Sequence, residues 1–227
     1  MAARVIALPE TNVLVRSSGR ARRLSLRVSS LDGKVTLTVP LGVRAREAER
    51  FVQERRDWIA SALRDVPEQA SVRVGGSLPV FGEVTRLVAG ASRGVRRAGE
   101  ELAVPAAWPG PAVEGWLKQQ ARAALAASCD RYAADVGKGY AALSLRDVRS
   151  RWGSCTSTGR LMFSWRLAMA PRDVLDYVAA HEVAHLAQMN HGPQFWAEVE
   201  RIHGPYTDAR RWLRAHGAQL HRYSFGD

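Results

Sequence analysis

Cysteine is scarce in this chain, and long hydrophobic runs are missing. The 227 residues include only Cys129 and Cys155, too few for a disulfide scaffold or for a structural zinc site, which usually has four ligands rich in cysteine. No apolar run reaches the roughly eighteen residues of a membrane-spanning helix, and the early polar residues do not fit a signal peptide. We therefore expect a protein of the reducing cytoplasm with no membrane partner.

Lysine is also rare, because arginine supplies nearly all of the 33 basic residues, and the net charge is +11. The densest basic run covers residues 16–23. A basic patch can bind phosphate backbones, but no aromatic residues interleave with this run, as base stacking would require. We interpret the arginines as charged edges that resist aggregation, and keep weak nucleic-acid contact as the alternative.

The N-terminal part has the pattern of β-strands. Apolar and polar residues alternate through much of residues 11–40, which we interpret as strands. Residues 44–64 then predict one long amphipathic helix, and Trp58 falls on its apolar stripe. At that spacing Trp58 is expected in the core.

A proline- and glycine-rich segment, residues 106–111, is the candidate linker. We predict a β-rich N-terminal region with one long helix over residues 1–105 and a second domain over residues 112–227. In the second domain, strands over 143–151 and 161–167 are expected to form a hairpin. Helix, hairpin and further helices make an α+β layout.

The residues that carry chemistry cluster within residues 176–191. His181 and His185 are four positions apart, so on a helix they lie one turn apart on the same face. Two neutral imidazoles held in this way can supply two ligands of a tetrahedral zinc ion. Glu182 sits beside the first ligand, where it can take a proton from a metal-bound water.

His191 is the preferred third ligand, because a catalytic zinc usually has three protein ligands and one open position. On a continuous helix it would lie about 15 Å along the axis from His181, so the chain must turn back after His185. Asn190 tolerates a left-handed conformation that ends a helix, and the Gly-Pro pair at 192–193 blocks continuation. Glu198 and Glu200 are rival third ligands, but their registry is poorer.

Four motifs in a fixed order carry a family resemblance: Arg-Ser-Arg-Trp-Gly-Ser-Cys at 149–155, Trp-Arg-Leu at 165–167, Asp-Tyr-Val followed by His-Glu-x-x-His at 176–185, and Asn-His-x-x-x-Phe-Trp at 190–196. Together they resemble the YgjP-like metallopeptidases, within the wider SprT-like and WLM-like zinc peptidases. The resemblance implies a zincin-type catalytic domain with His181, His185 and His191 on zinc and Glu182 as base. Gln188 stands where metzincins have a turn glycine, which argues against that class.

We therefore expect an α+β protein: a zincin-like catalytic domain with a His-Glu-x-x-His helix and a small antiparallel sheet, preceded by the β-rich region. The expected activity is zinc-dependent hydrolysis of peptide bonds in a peptide or protein substrate, with Zn²⁺ as cofactor. One alternative is a nucleotide pyrophosphatase using the same metal, an older label for some family members. A nucleotide pyrophosphatase would be expected to contain a Gly-rich phosphate-binding loop with Lys and Ser or Thr, which the sequence lacks. The other alternative is a nucleic-acid-associated protein with a structural zinc, which the cysteine spacing disfavours.

Aromatic and basic neighbours of the motif have structural interpretations. We expect Phe195 and Trp196 to pack a short helix under the metal site, and Arg151 and Trp152 to serve packing rather than catalysis. A strand beside the metal helix is expected to accept substrate as an added strand, and the candidates are residues 149–154 and 161–167.

Overall fold

The structure, a computed structural model, describes residues 4–29, 31–90 and 94–226. The chain forms two compact units that divide between Gln69 and Ala70. The predicted linker at residues 106–111 does not coincide with this division, because it lies inside the second unit. None of the helices in the described ranges is long and apolar enough to cross a membrane.

The first unit contains a four-stranded sheet. Its strands are β1 (Arg4–Ala7), β2 (Asn12–Ser18), β3 (Ser25–Val28) and β4 (Val35–Pro40), in the order β1-β2-β4-β3. The β2–β4 pair is parallel, whereas the other two pairs are antiparallel. Alternate side chains of β4 (Val35, Leu37 and Val39) are buried, which is the period-two pattern expected of a half-buried strand.

Two helices, α1 (Ala45–Glu54) and α2 (Arg56–Arg64), replace the single helix predicted over residues 44–64. Arg55 separates them, with φ −106° and ψ 9°, outside the helical range. The prediction that Trp58 lies in the core is wrong, because Trp58 is 49% exposed whereas Ile59 is fully buried. Successive helical side chains point about 100° apart, so when Ile59 faces the sheet its neighbour faces solvent.

The second unit starts with short strands and a long helix. The strands are β5 (Ala70–Ser71), β6 (Ser77–Val80), β7 (Glu83–Gly90), β8 (Arg96–Ala98) and β9 (Glu101–Pro105), and the last four form a sheet in the order β6-β7-β9-β8. The helix α3 (Pro109–Val136) follows. Pro109 opens it, at a position where a missing N–H costs nothing, and a β-carbon at Gly110 would collide with the carbonyl oxygen of Phe225. The second half of the proline- and glycine-rich segment, residues 109–111, is therefore a helix start that packs closely at Gly110.

A second, three-stranded sheet precedes the histidine-bearing helix. Its strands are β10 (Ala142–Arg146), β11 (Gly153–Cys155) and β12 (Arg160–Ser164), in the order β10-β12-β11. The hairpin is β11–β12, whereas β10 pairs parallel with β12. The sheet is thus mixed rather than wholly antiparallel, because β11 lies between the two predicted hairpin strands in sequence and takes the place of the first as the antiparallel partner of β12. The predicted α+β class is confirmed.

Helices complete the second unit. They are a 3-10 helix (Trp165–Met169), α4 (Arg172–Ala184), α5 (Pro193–His203), α6 (Thr207–His216) and a second 3-10 helix (Gly217–His221). The last strand, β13 (Tyr223–Ser224), pairs parallel with β5.

A polar cluster fixes α4 against α3. The carboxylate of Asp176 on α4 accepts hydrogen bonds from Ser128 at 2.7 Å, from Arg131 at 2.8 and 2.9 Å, and from the hydroxyl of Tyr132. Charge-assisted bonds of this kind are about twice as strong as neutral ones. They set the rotation of α4 about its axis, and with it the direction in which the histidine face points.

A buried arginine ties the closing segment to the rest of the unit. Arg166 donates to both carboxylate oxygens of Asp147, at 2.8 and 3.0 Å, and to the carbonyl oxygens of Leu220 and Tyr223, at 2.9 and 3.1 Å. Because its planar guanidinium satisfies four acceptors at once, the segment after α6 is held firmly against the 3-10 helix that carries Arg166.

Candidate metal centre

The helix α4 ends where the histidine arrangement requires it. The helix stops at Ala184, and the amides of Leu186, Ala187 and Gln188 donate back to the carbonyls of Val183 and Ala184 at 2.9–3.0 Å. These bonds tighten and close the last turn. The chain therefore reverses directly after His185, before α5 begins at Pro193.

The break differs in detail from the predicted one. Among the described residues other than glycine, Phe81 is the one with a positive φ, so the prediction of a left-handed Asn190 is wrong. The helix already ends at Ala184, six residues before Asn190, in a tightened turn, and no left-handed residue is needed there. Gly192 is extended, with φ −79° and ψ −178°, and leads into Pro193 as the first residue of α5.

Three imidazoles converge after this reversal. Nε2 of His181 and Nε2 of His191 lie 3.0 Å apart. One ligand atom from each of His181, His185 and His191 lies within 4.8 Å of the others. Ring nitrogens brought this close need only small side-chain rotations to share one metal ion at the Zn–N distance of about 2.0–2.1 Å, so the donor set fits a metal.

The second histidine is oriented by the backbone. Nδ1 of His185 lies 3.0 Å from the carbonyl oxygen of Gln188. A carbonyl can only accept, so Nδ1 carries the proton and the lone pair of Nε2 is left for a ligand. Metal-binding histidines usually have such a partner, which fixes both tautomer and ring direction.

The protonation of these histidines suits a metal site. Burial lowers the pKa of His181 to about 3, with further lowering by His185, His191 and Arg210. Burial also lowers the pKa of His185. Both rings are therefore neutral at pH 7, which is the form that binds metals.

Aromatic side chains of α5 pack beneath the three rings, as predicted. Phe195 is fully buried, and its ring centroid lies 4.9, 4.5 and 4.7 Å from those of His181, His185 and His191. Trp196 lies 5.6 Å from His181. This packing holds α5 against α4, so the third histidine is placed by the core as well as by its loop.

The rival third ligands do not join the histidines. Glu198 is paired with Arg201 at 2.7 and 2.9 Å. Within the described ranges, the metal-ligand group contains neither Glu198 nor Glu200. Both lie further along α5, whose first turn already occupies the space beneath the rings.

Glu182 lies in the same cavity as the histidines. The cavity has a volume of about 260 Å³, and Glu182 shares it with the three histidines and with Gly153, Ser154, Cys155 and Met189. Glu182 is 6% exposed. Burial raises the pKa of its carboxyl to about 8, and the charge of Arg151 opposes this shift. A carboxyl with a pKa near neutrality can both accept and return a proton.

Gly153 is the site residue that the sequence interpretation missed. The sequence places it only in a candidate docking strand, whereas its backbone lies directly against the Glu182 side chain and leaves no room for a side chain of its own. A glycine beside a predicted strand is a known signal of close approach. The sequence therefore indicates a close contact at Gly153, but it does not indicate that Glu182 makes this contact.

Comparison with known proteins agrees with the geometry. The sequence model of the family described as "YgjP-like, metallopeptidase domain" matches residues 22–216. No curated protein matches the chain. Among solved structures, the crystal structure of the metallopeptidase zymogen abylysin of Pyrococcus abyssi is similar with a TM-score of 0.37 and 17% identity, over 44% of this chain and 97% of that chain. A similarity this low carries over no property of abylysin.

Proposed function

Because the chain belongs to the YgjP-like metallopeptidase family, whose match covers most of its length, we propose that it is a zinc-dependent peptidase. In this proposal His181, His185 and His191 hold the ion, and Glu182 is the general base. The observation that carries it is the convergence of three imidazoles, with one ring nitrogen of each within 4.8 Å of the others, in a cavity that also contains a buried carboxyl group.

The donor set favours zinc over magnesium and calcium. Three imidazole nitrogens without a carboxylate suit zinc, whereas magnesium and calcium prefer oxygen ligands. Three protein ligands also leave one position open, as in catalytic rather than structural zinc sites. When bound there, zinc would polarise the scissile carbonyl and lower the pKa of a water molecule.

Glu182 handles the proton in this mechanism. Its place next to His181 puts its carboxylate in the cavity without making it a ligand, because neighbouring side chains point about 100° apart around a helix. It accepts the proton of the attacking water and passes it to the leaving amine. Its burial raises the carboxyl pKa, and a nearby divalent cation would favour the charged form instead.

The strand β11 is the proposed docking edge for substrate. β12 lies between β10 and β11 and is paired on both sides, so residues 161–164 have no free edge for a peptide. β11 is an edge strand, and Gly153, Ser154 and Cys155 all line the cavity. A substrate added along β11 would pass directly in front of Glu182 and the histidines.

The cavity fits a peptide better than a nucleotide. Its described lining residues include no Lys or Arg, so it lacks the cations that normally neutralise phosphates. The exposed arginines near residues 20–23 lie in the first unit instead. Weak nucleic-acid contact there stays a prediction, separate from the proposed chemistry.

One experiment tests the proposal against its rival. Metal content of the purified full chain is measured, and a peptide library and a set of nucleoside triphosphates are incubated with it, with and without chelator. Glu182→Gln protein, purified in parallel, controls for contaminating proteases. We expect about one zinc per chain and peptide cleavage that chelator and Glu182→Gln both abolish. Nucleotide hydrolysis without peptide cleavage would overturn the proposal in favour of the pyrophosphatase.

A further inference from the structure

A second cavity opens beside the one that holds the histidines. Its volume is about 250 Å³, and it shares Gly153, His181 and Glu182 with the first. Its other walls are Arg151, Trp152, Tyr177, Val178 and Leu213. A peptide crossing the site along β11 would therefore place a neighbouring group in this second cavity.

The walls of the second cavity combine an apolar lining with one cation. Trp152, Tyr177 and Leu213 provide aromatic and aliphatic surface, and Arg151 is exposed at the rim. In the part of the chain that the structure describes, no acidic side chain forms an ion pair with Arg151. Arg151 therefore differs from Arg131, Arg166 and Arg201, which are all engaged by carboxylates.

Cations of α6 add to the positive field around this cavity. The guanidinium of Arg210 lies 4.6 Å from the ring centroid of Trp196, and its charge lowers the pKa of His181, after the larger effect of burial. Burial raises the pKa of the Tyr177 hydroxyl, while Arg210 and Arg214 oppose the shift. Two more arginines are thus close enough to act on the cavity walls.

We propose that the second cavity is a subsite for a carboxylate of the substrate, with Arg151 as its specificity-determining residue. The carboxylate belongs either to an Asp or Glu side chain next to the scissile bond or to the C-terminus of the peptide. The inference rests on the proposed peptidase function and adds the substrate class: peptides with a carboxylate close to the scissile bond. A planar guanidinium matches a carboxylate with two parallel N–H···O bonds.

The same arrangement disfavours basic substrates. A Lys or Arg side chain entering this cavity would meet the charge of Arg151, and the one acidic group in the described walls is Glu182, which the proposed mechanism already uses. A hydrogen bond to a charged group is typically worth a factor of about ten or more. Since Arg151 is exposed, screening by salt will reduce that factor.

The test measures binding apart from turnover. Ala-Ala-Glu-Ala-Ala-amide with a dye on its N-terminal nitrogen, its Gln and Lys counterparts, and similarly labelled pentaalanine with a free or amidated C-terminus are titrated with the metal-stripped full chain by fluorescence anisotropy. The same peptide pairs are then compared by kcat/KM with zinc present. Variants are Arg151→Gln and Arg151→Glu. The matched control is Arg122→Gln, which changes an exposed arginine of α3 that lines neither cavity.

We expect the wild type to prefer one of the two carboxylates, Glu over Gln or free over amidated C-terminus, by about tenfold at low salt. Arg151→Gln should reduce this ratio to about one, Arg151→Glu should turn the preference towards Lys, and Arg122→Gln should leave the ratio unchanged. Equal binding of charged and neutral peptides by the wild type, or a preference that survives in Arg151→Gln, overturns the assignment. If the expected binding ratios are found but none of the peptides is cleaved, the peptidase function is overturned and the carboxylate subsite is kept.

Discussion

The side chain of Glu182 lies so close to the backbone of Gly153 that a β-carbon there would fall 2.6 Å from Cγ and Oε1 of Glu182. Real β-carbons do not approach non-bonded heavy atoms so closely. The strand β11 and the helix α4 are therefore in contact through a glycine on one side and the proposed base on the other, which fixes the carboxylate relative to the docking edge.

This contact predicts that Gly153→Ala displaces Glu182. We expect turnover to fall roughly 10–100-fold, since a shift of about 1 Å in a catalytic group has effects of this size, while zinc content stays near that of the wild type. Gly115→Ala is the control, because Gly115 is an exposed residue of α3 whose added β-carbon would meet nothing within 4 Å. Normal turnover of Gly153→Ala would show that the contact does not position the base.

His191→Ala is predicted to weaken zinc retention as much as His181→Ala does, because both rings contribute one nitrogen to the same point. Metal content after dialysis against a weak chelator measures the effect. Glu198→Gln serves as control, since Glu198 is paired with Arg201 and should not affect the metal. If His191→Ala keeps its full zinc content while Glu198→Gln loses zinc, Glu198 is the third ligand and His191 is not.

Glu182→Gln is predicted to leave zinc content and fold intact and to reduce turnover by about 10²–10⁴-fold, the usual contribution of general acid–base catalysis. The glutamine keeps the shape of the side chain but cannot take the proton. Zinc analysis, circular dichroism and kcat on one verified peptide distinguish this from a ligand role, in which metal and activity would be lost together.

The histidine site could be predicted largely from sequence, because its geometry is local. Helical periodicity puts His181 and His185 on one face, and the distance along a helix shows that the chain must turn back before His191. The manner of the turn could not be predicted. The same sequence is compatible with a left-handed Asn190 and with a tightened last turn. The structure has the tightened turn, as the backbone hydrogen bonds near Ala184 show.

Other errors come from signals with two meanings. Proline and glycine mark linkers, but they also begin helices and permit close packing, as at Gly110 against Phe225. Trp58 fits an apolar stripe only if the helix is continuous through Arg55, which it is not. Gly153 must be a glycine because the side chain of Glu182 packs against it. The two residues are far apart in sequence, so no local pattern predicts the contact.

Limited proteolysis is predicted to cut first between the two units. Residues 65–69 are outside regular secondary structure, and Glu68 and Gln69 are exposed, so a glutamate-specific protease should cleave after Glu68. Residues 109–111 should resist, because they form the start of α3. Mass spectrometry of the first fragments identifies the site, and initial cuts inside α3 or β9 would contradict the division at Gln69.

The stability of the metal-free protein is predicted to fall on acidification through His221. Burial lowers its pKa to about 4; Arg166 and Arg149 also lower it, whereas Asp147 raises it. An unfolded histidine ionises near 6.5, so the folded state binds fewer protons, and the contribution is full above about pH 6.5 and lost as the pH falls towards 4.

We therefore expect His221 to account for about 1–2 kcal/mol of the decrease in unfolding free energy between pH 7 and 5. Urea titrations of the wild type and of His221→Asn at both pH values measure the decrease in unfolding free energy of each protein. The decrease in the wild type minus the decrease in His221→Asn gives the contribution of His221 apart from the other histidines. Equal decreases in both proteins would show that the group titrates normally.

The pairing of β13 with β5 has a consequence for how the second unit can be rearranged. Its first and last strands are parallel neighbours of two residues each, so the start of β5 and the end of β13 are close enough for a short linker to join them. A circularly permuted chain, joined there by a short linker and reopened at the exposed residues 138–139 between α3 and β10, would retain every strand and helix. The candidate metal centre thus depends on how these elements pack in space, and their order along the chain can be changed.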